Sequence, residues 1–173
     1  LMLIKGGPAE RRRALDGVIC QLKPRYLGLL YRYNRELSQR NALLRNAKGG
    51  MLDRNVLRTW DETISKRACL IMRTRESYVK KLSPIIREVY RGIASGREEL
   101  SVEYLPCAPM DEEEFLKSLI ESAPVDAQLG FTTIGSHRHD LLFKIYGSAA
   151  KSFASHVQQR TRALPGKPPY VGM

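Results

Sequence analysis

The fold is decided by residues 24–50, which read PRYLGLLYRYNRELSQRNALLRNAKGG. Six side chains in this stretch recur at alternating steps of three and four, the a/d pattern of a coiled-coil seam: Leu27, Leu30, Asn34, Leu37, Asn41 and Leu44. A proline is suited to the first position of a helix, and the glycine pair at the end stops it. We therefore predict one long helix with asparagine at two seam positions, where a polar residue lowers stability but fixes register.

A second heptad pattern follows in residues 52–94. Its seam positions again step by four and three: Ile64, Ala68, Ile71, Arg75, Tyr78, Leu82, Ile85 and Val89. Two heptad helices joined by a short glycine turn are expected to fold back as an antiparallel pair. Ser83-Pro84 should kink or restart the second helix. A shorter helix is predicted before this pair, from Pro8 to about Leu22.

The remaining sequence has mixed character. Strands are predicted at residues 100–105, 130–134 and 141–146 because apolar and β-branched residues dominate there. A short acidic helix start at 111–114 leads to a helix ending near residue 121, and another helix begins near residue 155. The predicted fold class is therefore α+β, mainly helical. We divide it into a basic helical arm at 1–97, a lobe of a larger fold at 98–164 and an irregular tail at 165–173.

The charge of the chain is uneven. Residues 1–100 hold 22 Lys and Arg against 10 Asp and Glu, a net +12, whereas residues 101–173 hold 7 against 8. A basic half attracts polyanions by releasing their counterions, so nucleic acid is the leading partner. A solubilising helical surface is the alternative.

Several kinds of site are disfavoured by the sequence. Cys20, Cys69 and Cys107 lie too far apart for a metal knuckle, and we expect each to be a small buried apolar residue in a reducing compartment. His137 and His139 stand two residues apart, which puts them on opposite faces of a strand and argues against a metal site. The phosphate-loop pattern G-x-x-x-x-G-K-[ST] does not occur in the 173 residues. No apolar stretch approaches the length of a membrane helix, so a cytoplasmic protein is expected.

Three consecutive arginines, Arg11 to Arg13, fall in the first turns of the first predicted helix. The helix dipole is positive at that end, so these side chains should meet an anion. The anion would be the phosphates of a ligand, or carboxylates such as Glu10, Asp16 and the acidic run at 111–114.

Four blocks of the sequence resemble the RecF family of recombination-mediator ATPases, in the same order and spacing. They are IKGGPAERRR (4–13), YNRELSQRNALL with LRTWDE (33–44 and 57–62), GFTTIGSHRHDLLF (130–143) and FASHVQQRT (153–161). The resemblance covers residues 1–164.

This resemblance implies part of an ABC-type ATPase head with a helical arm, similar to SMC proteins. Such heads sandwich ATP and Mg²⁺ between two protomers, bind double-stranded DNA at gaps, and act with RecO and RecR. On this mapping the phosphate loop would lie before Leu1 and the acidic Mg²⁺ strand after Leu164. The signature motif that contacts ATP across the dimer would include Ser155, Gln158, Gln159 and Arg160. The candidate DNA-binding residues are Lys5, Arg11, Arg12, Arg13 and Arg40.

Two blocks depart from the family pattern. The family reads G-P-H-R-D-D-L where this chain has Ser136 and His139, and it reads S-Q-G-Q-Q-R where this chain has His156 and Val157. A valine side chain obstructs the close approach that glycine permits to a phosphate, which argues against signature function. Because the 173 residues also lack the phosphate loop and the acidic Mg²⁺ strand, we do not expect this chain alone to hydrolyse ATP. The alternative function is a helical hairpin that docks a partner protein without binding nucleic acid.

Overall fold

The computed structural model describes residues 6–47 and 52–147, which are mainly helical. Six elements follow one another in the order α1, α2, α3, β1, α4, β2. Their bounds are Pro8–Leu22 (α1), Pro24–Asn46 (α2), Arg54–Ile93 (α3), Glu98–Leu105 (β1), Glu112–Leu129 (α4) and Asp140–Gly147 (β2). The two strands pair in one sheet. The predicted glycine turn at 48–50 and the predicted helix from residue 155 lie outside the described residues.

Helix α1 begins as its sequence predicts. Pro8 takes the first helical position, and the Gly7 backbone N–H donates to Glu10 Oε2 at 2.8 Å. The carboxylate of Glu10 also lies in the first turn, where the helix dipole favours negative charge. Leu15 and Ile19, one turn apart, are buried, so α1 presents a single face to the core.

The buried face of α2 differs from the predicted seam at one set of positions. Leu44 is buried as expected, but Asn34 is exposed, and the fully buried side chains are Tyr26, Tyr33 and Arg40. These three side chains follow one another at intervals of seven residues. Each stands one position before a predicted seam residue, namely Leu27, Asn34 and Asn41. A tyrosine or arginine has a long body that packs in the core and a polar end that finds hydrogen-bond partners, so either can occupy a seam that a hydropathy pattern assigns to leucine or asparagine.

The antiparallel pairing of α2 with α3 is confirmed by two ion pairs. Arg40 Nε lies 2.6 Å from Asp61 Oδ1, and Glu36 Oε1 lies 3.0 Å from Arg67 Nη2. Moving backwards along α2 therefore corresponds to moving forwards along α3. The predicted seam of α3 is buried from Ile64 through Arg75.

The second half of α3 departs from the prediction. Ile85 and Val89 are each 58% exposed, so the seam does not continue as a buried face to that point. The helix runs without interruption through Pro84, so it does not restart at Ser83-Pro84, and the alternative of a kink there stays a prediction. A proline inside a helix removes one backbone hydrogen bond but does not by itself end the helix.

The strand predictions are partly correct. β1 and β2 match the predicted strands at 100–105 and 141–146. The predicted strand at 130–134 is wrong: Gly130 closes α4 with a left-handed backbone (φ 81°), and residues 131–139 form a loop. Helix α4 also runs eight residues beyond its predicted end, through Pro124, after a start capped by the Asp111 side chain.

The described residues fall into two compact units. One contains residues 6–47, 52–82 and 103–142, and the other contains residues 83–102 and 143–147. The domain division at residue 97 stays a prediction. Within the described ranges, no helix combines the length and apolar character that crossing a membrane requires.

Arg40 is the largest fully buried side chain of the first unit. Its Nε donates to Asp61 on α3, and its Nη1 donates to Asp126 Oδ2 on α4 at 2.6 Å and to Thr132 Oγ1 at 2.8 Å. Burial raises the pKa of Asp61, and the attraction of Arg40 opposes that rise. One guanidinium on α2 thus joins two other helices and the loop that follows α4.

The substitution Arg40→Met should lower the free energy of unfolding by about 3–5 kcal/mol, because it leaves two buried carboxylates without their cation. The control Arg58→Met removes an exposed arginine that pairs with Glu62 on the same helix at 3.1 Å, and should cost less than about 1 kcal/mol. Urea denaturation of both variants measures the difference. Equal losses would contradict the role assigned to Arg40.

Candidate functional site

The loop at residues 131–139 is held by side chains of the surrounding helices. Asp126 Oδ1 on α4 accepts from the Thr133 backbone N–H at 2.9 Å and from its hydroxyl at 2.6 Å. Asn41 Oδ1 on α2 accepts from the Thr132 backbone N–H at 2.8 Å and from its hydroxyl at 2.7 Å. Asp126 and Asn41 thus accept the backbone hydrogen bonds that a neighbouring strand would otherwise accept. For this reason the threonines need no strand partner and lie in a loop.

Gly135 makes the closest backbone approach in this loop. Its φ is +140°, and a Cβ added there would lie 2.8 Å from the hydroxyl of Tyr33 and 2.9 Å from Nδ1 of His137. The buried tyrosine and the histidine therefore occupy the space that a side chain at position 135 would need. Any other residue must displace them.

His137 is held as a neutral imidazole. Its Nε2 lies 3.2 Å from the Thr132 carbonyl, which only accepts, so Nε2 carries the proton and Nδ1 accepts from the Tyr33 hydroxyl at 2.8 Å. Burial lowers the pKa of His137 to about 4. This fixed tautomer links the loop to α2 and leaves no free ring nitrogen for a metal.

His139 is also neutral and is completely buried. Its Nδ1 lies 2.6 Å from the Tyr104 hydroxyl on β1, and burial, with Arg75 as the next cause, lowers its pKa to about 3. The family motif has an aspartate at this position. The imidazole of His139 is accommodated there without charge.

Arg75 connects the loop to two helices. Its Nε and Nη2 donate to the two carboxylate oxygens of Asp16 on α1, both at 2.8 Å, and its Nη1 donates to the Ser136 carbonyl. Asp16 also accepts from the Tyr26 hydroxyl at 2.8 Å, and burial raises the pKa of Tyr26. Asp16 thus accepts hydrogen bonds from side chains of α3 and α2, and its charge also attracts Arg12 of the arginine run.

Two of the three consecutive arginines are bound within the protein. Arg11 donates to both oxygens of Asp140, at 2.7 and 2.6 Å, and Arg12 donates to the His139 carbonyl at 2.6 Å. Burial lowers the pKa of Arg12, with repulsion from Arg75 as the second cause. The anion that we expected at this helix start is therefore Asp140 for Arg11, while Arg13 is exposed.

The predicted site residues separate into three groups. Arg11, Arg12 and Arg13 lie together at the start of α1, whereas Arg40 is buried among carboxylates and presents no surface to a ligand. Lys5 and the four signature residues lie outside the described part of the chain: Ser155, Gln158, Gln159 and Arg160. No group of three His, Cys, Asp or Glu side chains within the described ranges is placed to hold a metal ion.

The cysteines are only partly as expected. Cys69 is buried on α3, and burial raises its pKa to about 11, but Cys107 is exposed and Cys20 is half-buried. The prediction that all three are buried is therefore wrong. Cys107 lies between Pro106 and Pro109 beyond the end of β1, where no helix face carries it into the core.

The contacts that hold the loop were not predicted, although two signals were present in the sequence. Asn41 and Arg75 both stood at predicted seam positions. A polar side chain at such a position must either form hydrogen bonds inside the protein or remain exposed to solvent. The partners Asp126, Asp16 and Tyr104 lie on other elements and far away in sequence, so the pattern of any one helix does not identify them.

The chain is similar to curated proteins named DNA replication and repair protein RecF. The one from Agathobacter rectalis is 37% identical over 166 residues, covering 95% of this chain and 45% of that protein. Those from a Synechococcus strain (36% over 174 residues) and Desulfitobacterium hafniense (37% over 172 residues) are matched over 46% and 47% of their lengths. The chain thus spans about half the length of the curated relatives it matches. No protein-family model matches it.

Solved structures of the recombination mediator protein RecF in the RecFOR pathway have the same fold. One, described as RecF-ATPrS, superposes with a TM-score of 0.79 at 29% identity over 94% of this chain and 46% of that chain. Another, described as RecF-ATP, gives 0.79 at 30% identity over 94% and 45%. The predicted fold class and the resemblance are both confirmed.

Replacing Gly135 by alanine should lower the free energy of unfolding by roughly 1–3 kcal/mol, because the backbone conformation is strained for any residue with a Cβ and the methyl group meets Tyr33. Gly28→Ala is the matched control. It lies within α2 with open space around its Cβ position, so alanine should raise stability there by up to about 1 kcal/mol. Thermal or urea unfolding should therefore show a lower free energy of unfolding for Gly135→Ala and a higher one for Gly28→Ala. A change in the same direction for both variants would contradict the assigned contacts.

Stability should fall as the pH drops below about 6.5, because the unfolded chain then protonates His137 and His139 while the folded protein does not. The folded pKa values, about 4 for His137 and about 3 for His139, place this loss between roughly pH 6.5 and 4 for His137 and between roughly pH 6.5 and 3 for His139. Each histidine contributes about 1.4 kcal/mol per pH unit within that window. The variants His137→Gln and His139→Gln should each show a shallower pH dependence. NMR titration of the two imidazoles near pH 6 in the folded protein would refute this prediction.

Proposed function

We propose that the chain forms the DNA-contacting part of a RecF-type repair and recombination protein, because over 94–95% of its length it is similar in sequence and fold to proteins named RecF. The observation that carries the proposal is the joint match in sequence and fold to proteins of that name. The basic first hundred residues support it, because their net charge of +12 favours a polyanion.

Within the start of α1, Arg13 is the residue that we assign to phosphate contact. Arg11 and Arg12 use their guanidinium groups on Asp140 and on the His139 carbonyl, which orients this turn of the helix. Arg13 is exposed, and no carboxylate pairs with it in the described part of the chain. Lys5 belongs to the same basic segment and is proposed as a second contact. Arg40 is not carried into this proposal because it is buried.

The finer features of the family also enter as proposals. The comparison structures are RecF complexes described with ATP or ATPrS, which supports ATP as the family ligand. We assign Ser155, Gln158, Gln159 and Arg160 to contact with ATP held by a second protomer, with Mg²⁺ at the phosphates. Gapped double-stranded DNA, RecO and RecR are the proposed partners, as the pathway of the comparison structures suggests.

A second function, protein docking without nucleic-acid binding, is favoured by one observation. Arg11 and Arg12 both bind groups of this same chain, as expected if the arginine run serves only to hold the fold together. The two functions make opposite predictions for Arg13, which has no such contact.

Arg13→Ala should weaken binding of a gapped duplex by about eightfold at 0.1 M salt and reduce the slope of log K against log[salt] by about 0.9, the effect of losing one phosphate contact. The melting temperature should stay unchanged. Fluorescence anisotropy over a salt series measures both the affinity and the slope.

Two controls separate the alternatives. Lys117→Ala removes the same charge from α4, beside acidic residues, and should leave DNA affinity unchanged. Arg11→Ala should lower the melting temperature because Asp140 loses its partner. Binding that is absent, or that is insensitive to salt and to Arg13→Ala, would favour the docking function.

A further inference from the structure

The solvent-facing side of α2 combines arginine with exposed apolar side chains. Leu27 is 61% exposed and Tyr31, one turn later, is 69% exposed. Arg25, Arg32 and Arg35 are also exposed, and Arg25 and Arg32 lie seven residues apart along one line of the helix surface. We call these five residues the α2 docking face. It lies opposite the buried side of Tyr26, Tyr33 and Arg40, so the core does not use it.

The charges of this face are only partly balanced within the described part of the chain: Arg32 and Arg35 lie close enough to Glu36 to oppose the rise that burial causes in its pKa, but neither forms an ion pair with it. The sole acidic residue of α2 is Glu36, which turns towards Arg67 on α3 at 3.0 Å and is 12% exposed. No ion pair joins Arg25, Arg32 or Arg35 to a carboxylate among the residues that the structure describes. Arg32 and Arg35 are three residues apart on one helix surface, where like charges repel.

The helix dipole adds to this positive charge. The first turn of α2 contains no acidic residue, and Arg25 stands within it. An anionic group bound there would interact favourably with the dipole and with the arginines together. The face therefore has the electrostatic character of a site for a negatively charged partner.

The apolar residues indicate which kind of anion fits. Leu27 and Tyr31 lie one turn apart, and an added Cβ at Gly28, beside them, would meet nothing within 4 Å. The backbone is thus open to a side chain approaching between the two apolar residues and Arg32. A phosphate backbone would neutralise the arginines but leave Leu27 in water, whereas a peptide can place a carboxylate on the arginines and an aliphatic or aromatic side chain on Leu27 and Tyr31.

We propose that the α2 docking face binds an acidic protein segment through arginine–carboxylate pairs and an apolar anchor. This interaction does not involve Arg13 and is independent of the DNA contact proposed above. Exposed aromatic and arginine side chains are also the residue types that contribute most to protein interfaces.

The test uses the whole 173-residue chain and a fluorescein-labelled peptide, DELDEFDE, with DESDESDE as the peptide that keeps the charge but lacks the anchors. DELDEFDE should bind, and the double variant Arg32→Ala/Arg35→Ala should weaken binding by about tenfold or more, as expected for two lost charge-assisted contacts. Leu27→Ser or Tyr31→Ser should reduce the affinity for DELDEFDE to that for DESDESDE. Circular dichroism checks that each variant keeps its helices.

The matched control is Arg54→Ala/Lys66→Ala, which removes two exposed charges from α3 and should not change peptide affinity. A charge reversal, Arg32→Glu/Arg35→Glu, should abolish binding. The proposal is overturned if neither peptide binds, if the two peptides bind equally, or if the control variant weakens binding as much as the α2 variant. It is also overturned if a thymidine oligonucleotide binds this face more tightly than DELDEFDE and the serine variants do not affect either ligand.

Discussion

A buried positive charge on α2 governs the arrangement of the elements around it. The Arg40 guanidinium is shielded from water, so its charge has to be balanced inside the protein. Asp61 on α3 and Asp126 on α4 provide the balance at 2.6 Å each, and Thr132 takes the remaining contact of Nη1. Three helices and one loop must therefore keep a single relative placement, since a shift in any of them would leave a buried charge without its partner.

The loop after α4 is also held by buried polar groups whose partners lie on other elements. Arg75 binds Asp16 and the Ser136 carbonyl, and each buried histidine shares a hydrogen bond with a tyrosine of another element. Because both histidines stay neutral, the loop acquires no charge that Arg75 and Arg12 would repel. Polar contacts, more than apolar packing, thus decide where residues 131–139 lie.

These internal contacts also determine which cations remain available to a partner. The fold engages Arg11, Arg12, Arg40 and Arg75, and it leaves Arg13 and the arginines of the α2 docking face in solvent. Similar side chains in the same basic half of the sequence therefore have different roles.

The sequence by itself predicted that the described helices exist, that α2 pairs antiparallel with α3, that β1 and β2 form, and that the chain resembles RecF proteins, because capping residues, heptad spacing and ordered motifs are local signals. It did not determine that Tyr26, Tyr33 and Arg40 fill the α2 seam, that residues 130–134 form a loop, or that Arg40 is unavailable to DNA. Those outcomes depend on Asp61, Asp126 and Asn41, which lie on different helices from the groups they bind or far from them along the chain. A buried polar group is stable only where its partners converge, and that convergence exists only once the helices have packed.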